Sequence, residues 1–122
     1  MFILCFATII SCEPKEDISA IKQKLIEKWK DISYGTDSEQ ELTLNQDGSF
    51  RLVQLDDHSN LKSEISGTWG LDRNRFIRFK YNNLCSRYDI LRYKKTLVLD
   101  HRLENECNER LFSGYVIRFK KM

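Results

Sequence analysis

Apolar and polar side chains alternate with a period of two through most of the chain after Tyr34, and turn-forming residues interrupt the pattern at short intervals. A period of two is typical of β-strands that bury one face, because successive side chains of a strand point to opposite sides. Strands do not alternate with helices, which argues against doubly wound and other parallel-sheet enzyme folds. Seven strands are expected, at residues 42–44, 50–52, 61–71, 77–81, 84–93, 97–103 and 115–119.

The breaks between these strands are short enough to join neighbours as antiparallel hairpins. Residues 45–49, Asn-Gln-Asp-Gly-Ser, are typical of a hairpin turn, since Gly48 is free to adopt the positive φ that such turns need. An open meander would leave two unpaired edges, which closure into a barrel removes. We therefore predict a mainly β fold, an antiparallel meander that forms a small barrel or a bent sheet.

A helical period precedes the strands. Apolar residues recur there at steps of three or four, namely Ile18, Ile21, Leu25, Trp29 and Ile32. This spacing predicts one N-terminal helix from about Asp17 to Lys30, and acidic residues near its start suit the helix dipole. The alternative is a strand over residues 25–33 with Trp29 pointing inward.

Composition limits the class of protein. The 122 residues fit one domain, and 41% apolar content with 1 proline and 5 glycines excludes collagen-like and disordered chains. Since 20 basic and 18 acidic side chains leave a net charge of +2, no nucleic-acid partner is indicated. The sequence has no G-x-S-x-G, no phosphate-binding glycine loop and no H-E-x-x-H, so we predict neither catalysis nor a cofactor.

Residues 1–12 carry no charge, whereas the chain after them is mixed and polar. Such a run is too short for a membrane-spanning helix, which needs about 20 apolar residues, but it fits the apolar region of an export signal. Its last four residues, Ile9, Ile10, Ser11 and Cys12, resemble the lipobox of bacterial lipoproteins. The resemblance implies that residues 1–11 are removed and that the Cys12 thiol receives diacylglycerol.

The lipobox resemblance divides the chain into a signal peptide (1–11), a tether with the start of the helix (12–24) and a β domain (25–122). It implies a location in the bacterial cell envelope, anchored by lipid to the outer membrane and facing the periplasm or the outside. Export signals normally begin with a basic residue, and here Phe2 follows Met1. Two alternatives stay open for residues 2–12, a buried first strand of a cytosolic domain and a true membrane span.

The four cysteines are interpreted through the same resemblance. It implies that Cys5 leaves with the signal and that Cys12 is lipidated, so that Cys85 and Cys107 remain. Outside the cytosol these two thiols are expected to form a disulfide. A zinc site is disfavoured, because the two cysteines are far apart and neither begins a C-x-x-C.

Four segments of the strand region resemble the small lipocalin-like lipoproteins of bacterial envelopes. They are Asp47-Gly48-Ser49-Phe50, Gly67-Thr68-Trp69, Tyr88-Asp89-Ile90-Leu91 and Leu97-Val98-Leu99, and the resemblance spans about residues 40–100. It implies a lipocalin-like β-barrel but no assigned reaction, since one fold hosts many functions.

A ligand pocket inside the barrel is one candidate site. Its lining would combine aromatic side chains with a histidine that alternation places on the inward side of its strand. These residues are Trp69, Tyr81, Tyr88, His101 and Tyr115. The alternative is a filled core, because a small barrel holds packed side chains or one small ligand.

A basic strand face is the other candidate. The tetrapeptide Ile-Arg-Phe-Lys occurs at residues 77–80 and again at 117–120, and alternation turns its basic residues outward. Arg78, Lys80, Arg118 and Lys120 would form one stripe if the two strands lie on the same side of the barrel. The alternative is an ordinary charged strand face.

These patterns predict a membrane-anchored envelope lipoprotein that acts as a non-catalytic binding or inhibitor module through its loops and basic face. Its expected partners are the membrane, through acyl chains on Cys12, and an envelope or host macromolecule. The alternative function is a lipocalin-like carrier of a small apolar ligand.

Overall fold

The computed structural model describes residues 17–33, 39–56, 58–73, 75–103, 107–112 and 114–122. These residues form a closed antiparallel barrel of eight strands in chain order, preceded by one helix, so the predicted mainly β barrel is confirmed. The elements are α1 (Ile18–Leu25), β1 (Lys28–Asp31), β2 (Glu39–Leu44), β3 (Ser49–Leu55), β4 (Leu61–Asp72), β5 (Phe76–Tyr81), β6 (Leu84–Tyr93), β7 (Thr96–His101) and β8 (Val116–Lys121).

One strand, β1, was not among the seven expected, and it lies where the helical period predicted a longer helix. The helix ends at Leu25, not at about Lys30, and β1 pairs with both β2 and β8. Strand pairing prevails because it closes the barrel and buries Trp29 completely. The Trp29 indole N–H also donates to the Leu25 carbonyl at 3.1 Å, which satisfies a group that the helix end leaves unpaired. Ile32, expected on the helix face, is exposed.

Helix α1 is short but well capped. The Asp17 carboxylate accepts a hydrogen bond from the Ala20 N–H at 2.9 Å, as an N-cap residue does. Ile21 and Leu25 are its buried residues, and both belong to the core. The helix therefore packs its apolar side against the barrel.

The antiparallel order fixes what lies at each end of the barrel. The helix end carries α1 and the connections β2–β3, β4–β5 and β6–β7. The loop end carries the connections β3–β4, β5–β6 and β7–β8. At the helix end, the Trp69 indole N–H donates to the Asn45 carbonyl at 3.0 Å, and the Lys22 ammonium lies 5.6 Å from the Trp69 ring.

Aromatic rings pack edge to face inside the barrel. The Phe79 ring centroid lies 5.0 Å from that of Phe50 and 5.7 Å from that of Phe112, and Phe112 lies 5.2 Å from Phe119. Phe112 belongs to the β7–β8 connection, so this connection inserts a ring into the barrel from the loop end. Leu103, predicted on the inward parity of β7, instead lies beyond that strand and is exposed.

Candidate binding surface

The structure does not bring the five predicted pocket residues into one pocket. Trp69 packs into the core at the helix end, whereas Tyr81, Tyr88 and His101 are buried towards the loop end. Tyr115 precedes β8 and is 65% exposed. The Tyr81 hydroxyl and the Ser86 hydroxyl are 2.7 Å apart and hydrogen-bonded. These aromatic side chains therefore serve as packed core and as polar links to the loop end.

The Tyr88 hydroxyl holds the β7–β8 connection in place. It accepts hydrogen bonds from the backbone N–H groups of Leu111 at 2.9 Å and Phe112 at 3.2 Å. Burial raises the pKa of Tyr88 to about 12, although these two hydrogen bonds act in the opposite direction. The phenol therefore stays neutral at physiological pH and fixes the connection over the barrel mouth.

A disulfide between Cys85 and Cys107 fixes the same connection from outside the barrel. The Glu109 N–H donates to the Cys85 carbonyl at 3.1 Å, and His101 Nε2 lies 2.9 Å from the Glu109 carbonyl oxygen. The expected cysteine pairing is thus present. Together these contacts position residues 107–112 against β6 and β7.

The two copies of Ile-Arg-Phe-Lys lie on different parts of the barrel surface. The first is on β5 and the second is on β8, and strands β6 and β7 lie between them. A single stripe through Arg78, Lys80, Arg118 and Lys120 is therefore not formed. The sequence could not show this separation, because it depends on the order of strands around the closed barrel.

The two basic residues of the first copy differ in their surroundings. The Arg78 guanidinium forms an ion pair with Asp72, so much of its charge is neutralised locally. Lys80 is exposed on the same strand, and no carboxylate of the described residues forms an ion pair with it. In the second copy, Arg118 and Lys120 are likewise exposed.

An open groove of about 770 Å³ borders Lys80 on the outer surface. Its walls are β4 at residues 66–68, the two basic residues of β5, the turn at 82–84 and the disulfide. Asn82 and Asn83 have φ values of 49° and 63°, the left-handed conformation of a tight hairpin turn, and their side chains are exposed. The groove thus combines a cation, two amides that donate and accept hydrogen bonds, and the exposed Leu84 side chain.

Sequence reasoning missed one buried acid on the outside of the barrel. The Asp89 side chain is 2% exposed beneath Arg75 and Arg102, whose guanidinium nitrogens lie 3.2 Å and 3.0 Å from its oxygens. Burial opposes its ionisation, but the two arginines outweigh burial and lower the pKa of Asp89 below its ordinary value. Strand parity places Asp89 outward, and only the folded structure shows that two arginines cover it.

Among the described residues, no three histidine, cysteine, aspartate or glutamate side chains lie close enough to hold a metal ion. The same part of the chain contains no helix long and apolar enough to cross a membrane. The proposed signal, Cys12 and residues 13–16 of the proposed tether lie outside the described residues.

The fold and its surface define a small eight-stranded antiparallel barrel with core side chains packed inside and a polar, cationic groove outside. No protein-family model, curated protein or solved structure matches the chain.

Proposed function

We propose that this protein is a lipid-anchored, non-catalytic binding module of the bacterial envelope, and that it binds a macromolecule through the groove beside Lys80. The anchor rests on the lipobox resemblance at Cys12. The observation that supports the groove is its position outside a barrel whose interior is occupied by core side chains. The carrier alternative would need interior space, and the packing of Trp69 and Tyr88 gives it no support.

The chemistry of the groove favours an acidic or amide-rich segment of a partner. Lys80 supplies an exposed positive charge, and Arg78 adds donors that Asp72 orients. The turn at Asn82 and Asn83 offers adaptable hydrogen-bonding groups at the rim. Contacts of this kind give specificity and speed association with a partner of opposite charge.

The repeated tetrapeptide provides a matched test. Lys80→Glu and Lys120→Glu reverse the same charge at the fourth position of the two copies, and both side chains are exposed. We expect Lys80→Glu to abolish capture of the partner from an envelope extract of the producing organism, and Lys120→Glu to leave capture unchanged. Both variants should unfold at the denaturant concentration of the parent chain. Equal capture by the Lys80→Glu variant and the parent would reject the groove as the binding site.

A further inference from the structure

The ends of three chain segments meet at one side of the helix end. The Lys121 N–H donates to the Lys95 carbonyl at 3.4 Å, and the Met122 N–H donates to the Lys28 carbonyl at 2.9 Å. The start of β1, the β6–β7 turn and the end of β8 are thereby held together. We call the exposed lysines of these segments the lysine face: Lys28, Lys94, Lys95, Lys120 and Lys121.

Little negative charge opposes the lysine face. Glu27 lies 3.7 Å from the Lys121 ammonium, but no carboxylate of the described residues forms an ion pair with the other four lysines. Lys120 is also directly opposite Lys30 on β1, but the Lys30 ammonium forms an ion pair with Glu39 at 3.2 Å, so the repulsion between the two lysines is partly neutralised.

Exposed apolar side chains accompany the lysines at the helix end. Leu91 near the end of β6 is 51% exposed and borders Lys94 and Lys95, and Met122 after β8 is 57% exposed. A surface that mixes lysines with exposed apolar groups is typical of segments that lie in a membrane interface. There the apolar groups enter the headgroup boundary and the cations meet anionic lipids.

The chain also enters the barrel at this end. Asp17, the N-cap of α1, follows Cys12 by 5 residues, which span at most about 18 Å when fully extended. If Cys12 carries lipid, the helix end is held close to the bilayer. The lysine face can then come within reach of the electric field of the bilayer surface, which decays over about 8 Å at physiological salt.

We infer that the lysine face docks the barrel onto a surface of anionic phospholipid, so that the helix end faces the bilayer and the loop end points away. The inference rests on the proposed lipid anchor for its orientation, and on the lysine face for its lipid selectivity. Docking fixes the orientation of the barrel relative to the bilayer, which a lipid tether alone does not do.

Energy transfer from tryptophan to lipid tests the inference in the full chain. Trp29 lies at the start of β1 and Trp69 near the helix end of β4, so both report on the distance of this end from the bilayer. The acylated protein is reconstituted into vesicles that carry a dansyl-labelled lipid, made either of phosphatidylglycerol with phosphatidylcholine or of phosphatidylcholine alone. We expect greater transfer in the anionic vesicles, and loss of that excess in high salt.

Charge reversal supplies the control. Lys94 and Lys95 changed together to Glu should reduce transfer in anionic vesicles towards the level of phosphatidylcholine. Lys62 and Arg110 changed together to Glu alter the net charge equally, but both lie at the loop end, so this variant should leave transfer unchanged. Equal transfer in the two lipids, or equal loss in the two double variants, would overturn docking.

Failure of the anchor is a separate result. If the purified chain carries no acyl mass, the proposed anchor is wrong, and flotation of that chain with the same two vesicle types still tests docking. Binding to the anionic vesicles alone would then support the lysine face, and no binding to either would overturn it.

Discussion

The Tyr88 hydroxyl joins the barrel wall to a connection more than 20 residues away in sequence. Its two hydrogen bonds are buried, so no water replaces the phenol when it is removed. We expect Tyr88→Phe to lower the free energy of unfolding by about 1–3 kcal/mol, the usual cost of leaving buried N–H groups unpaired. Tyr115→Phe, on an exposed ring, should change it by less than about 0.5 kcal/mol. Chemical denaturation measures both, and equal losses would contradict the assigned role.

Asp89 predicts a pH dependence of stability. Its pKa is lower in the folded state than in the unfolded state, where carboxyls titrate near 4. The stabilisation from the ionised carboxylate is therefore present above about pH 4, and it is lost as the pH falls through the folded-state pKa. Asp89→Asn should cost about 1–3 kcal/mol near pH 7, and the difference from the parent should shrink below pH 4.

Asp100 is the matched control for that experiment. It lies directly opposite Asp89 on β7, with its oxygen 3.9 Å from the same Arg102 guanidinium, but it is more exposed. Asp100→Asn should lower the free energy of unfolding near pH 7 by less than about 0.5 kcal/mol, because partly exposed ion pairs contribute little. A constant difference between Asp89→Asn and the parent from pH 3 to pH 7 would contradict the account.

Parity in the sequence assigned the outward direction of Lys80 and the inward direction of His101. It did not predict the groove, because one wall is the turn at Asn82 and Asn83 and another is Cys107, which reaches Cys85 only in the folded chain. The burial of Asp89 could not be predicted from the sequence either, since it depends on arginines 13 and 14 residues away.

At the scale of elements, alternation located β2 to β5, β7 and β8, whereas the turn residues on either side located β6, whose buried positions follow no single parity. It missed β1, which has only 4 residues and one fully buried side chain. Four residues are too few to show a period of two, and the preceding helical spacing extends through them. The alternative of a strand over residues 25–33 with Trp29 inward is correct for Lys28–Asp31, and closure of the sheet between β2 and β8 favours it over the helix.

Gly67 is required because the backbones of the paired strands β4 and β5 approach closely at this position. A Cβ at this position would lie 2.0 Å from the Lys80 carbonyl oxygen and 3.1 Å from the Phe50 ring. Gly67→Ala should therefore push the two strands apart and lower the free energy of unfolding by about 1–3 kcal/mol or more, as overpacking does. Gly70 on the same strand has open space where a Cβ would lie, so Gly70→Ala should have little effect. Denaturant midpoints compare the Gly67→Ala and Gly70→Ala variants, and equal stability of these variants would contradict the close approach of the strands at Gly67.

At the scale of the whole molecule, the disulfide ties the β7–β8 connection to β6 across 22 residues. In the chain-entropy model a loop of this length contributes about 3 kcal/mol. Replacing Cys85 and Cys107 together by Ala should cost about that much in equilibrium unfolding. Reductant should lower the stability of the parent to the level of the variant and leave the variant unchanged. A parent chain that is insensitive to reductant would contradict the role of the bond.

The proposed orientation gives the barrel two different ends. The lysine face turns to the bilayer, while the disulfide-bound connection and the turn beside Lys80 are available to a partner. In the proposed arrangement the two copies of the tetrapeptide would lie on surfaces with different roles. Lipid at Cys12 is the central requirement, because the proposed anchor would both locate the protein and set which end meets the membrane.

The intact mass of the protein purified from membranes of the producing organism tests that claim most directly. We expect a chain that begins at Cys12, carries the added mass of its acyl groups and lacks the two hydrogens of an oxidised Cys85–Cys107 pair. An unmodified chain that retains residues 1–11 and is recovered from the soluble fraction would contradict the account.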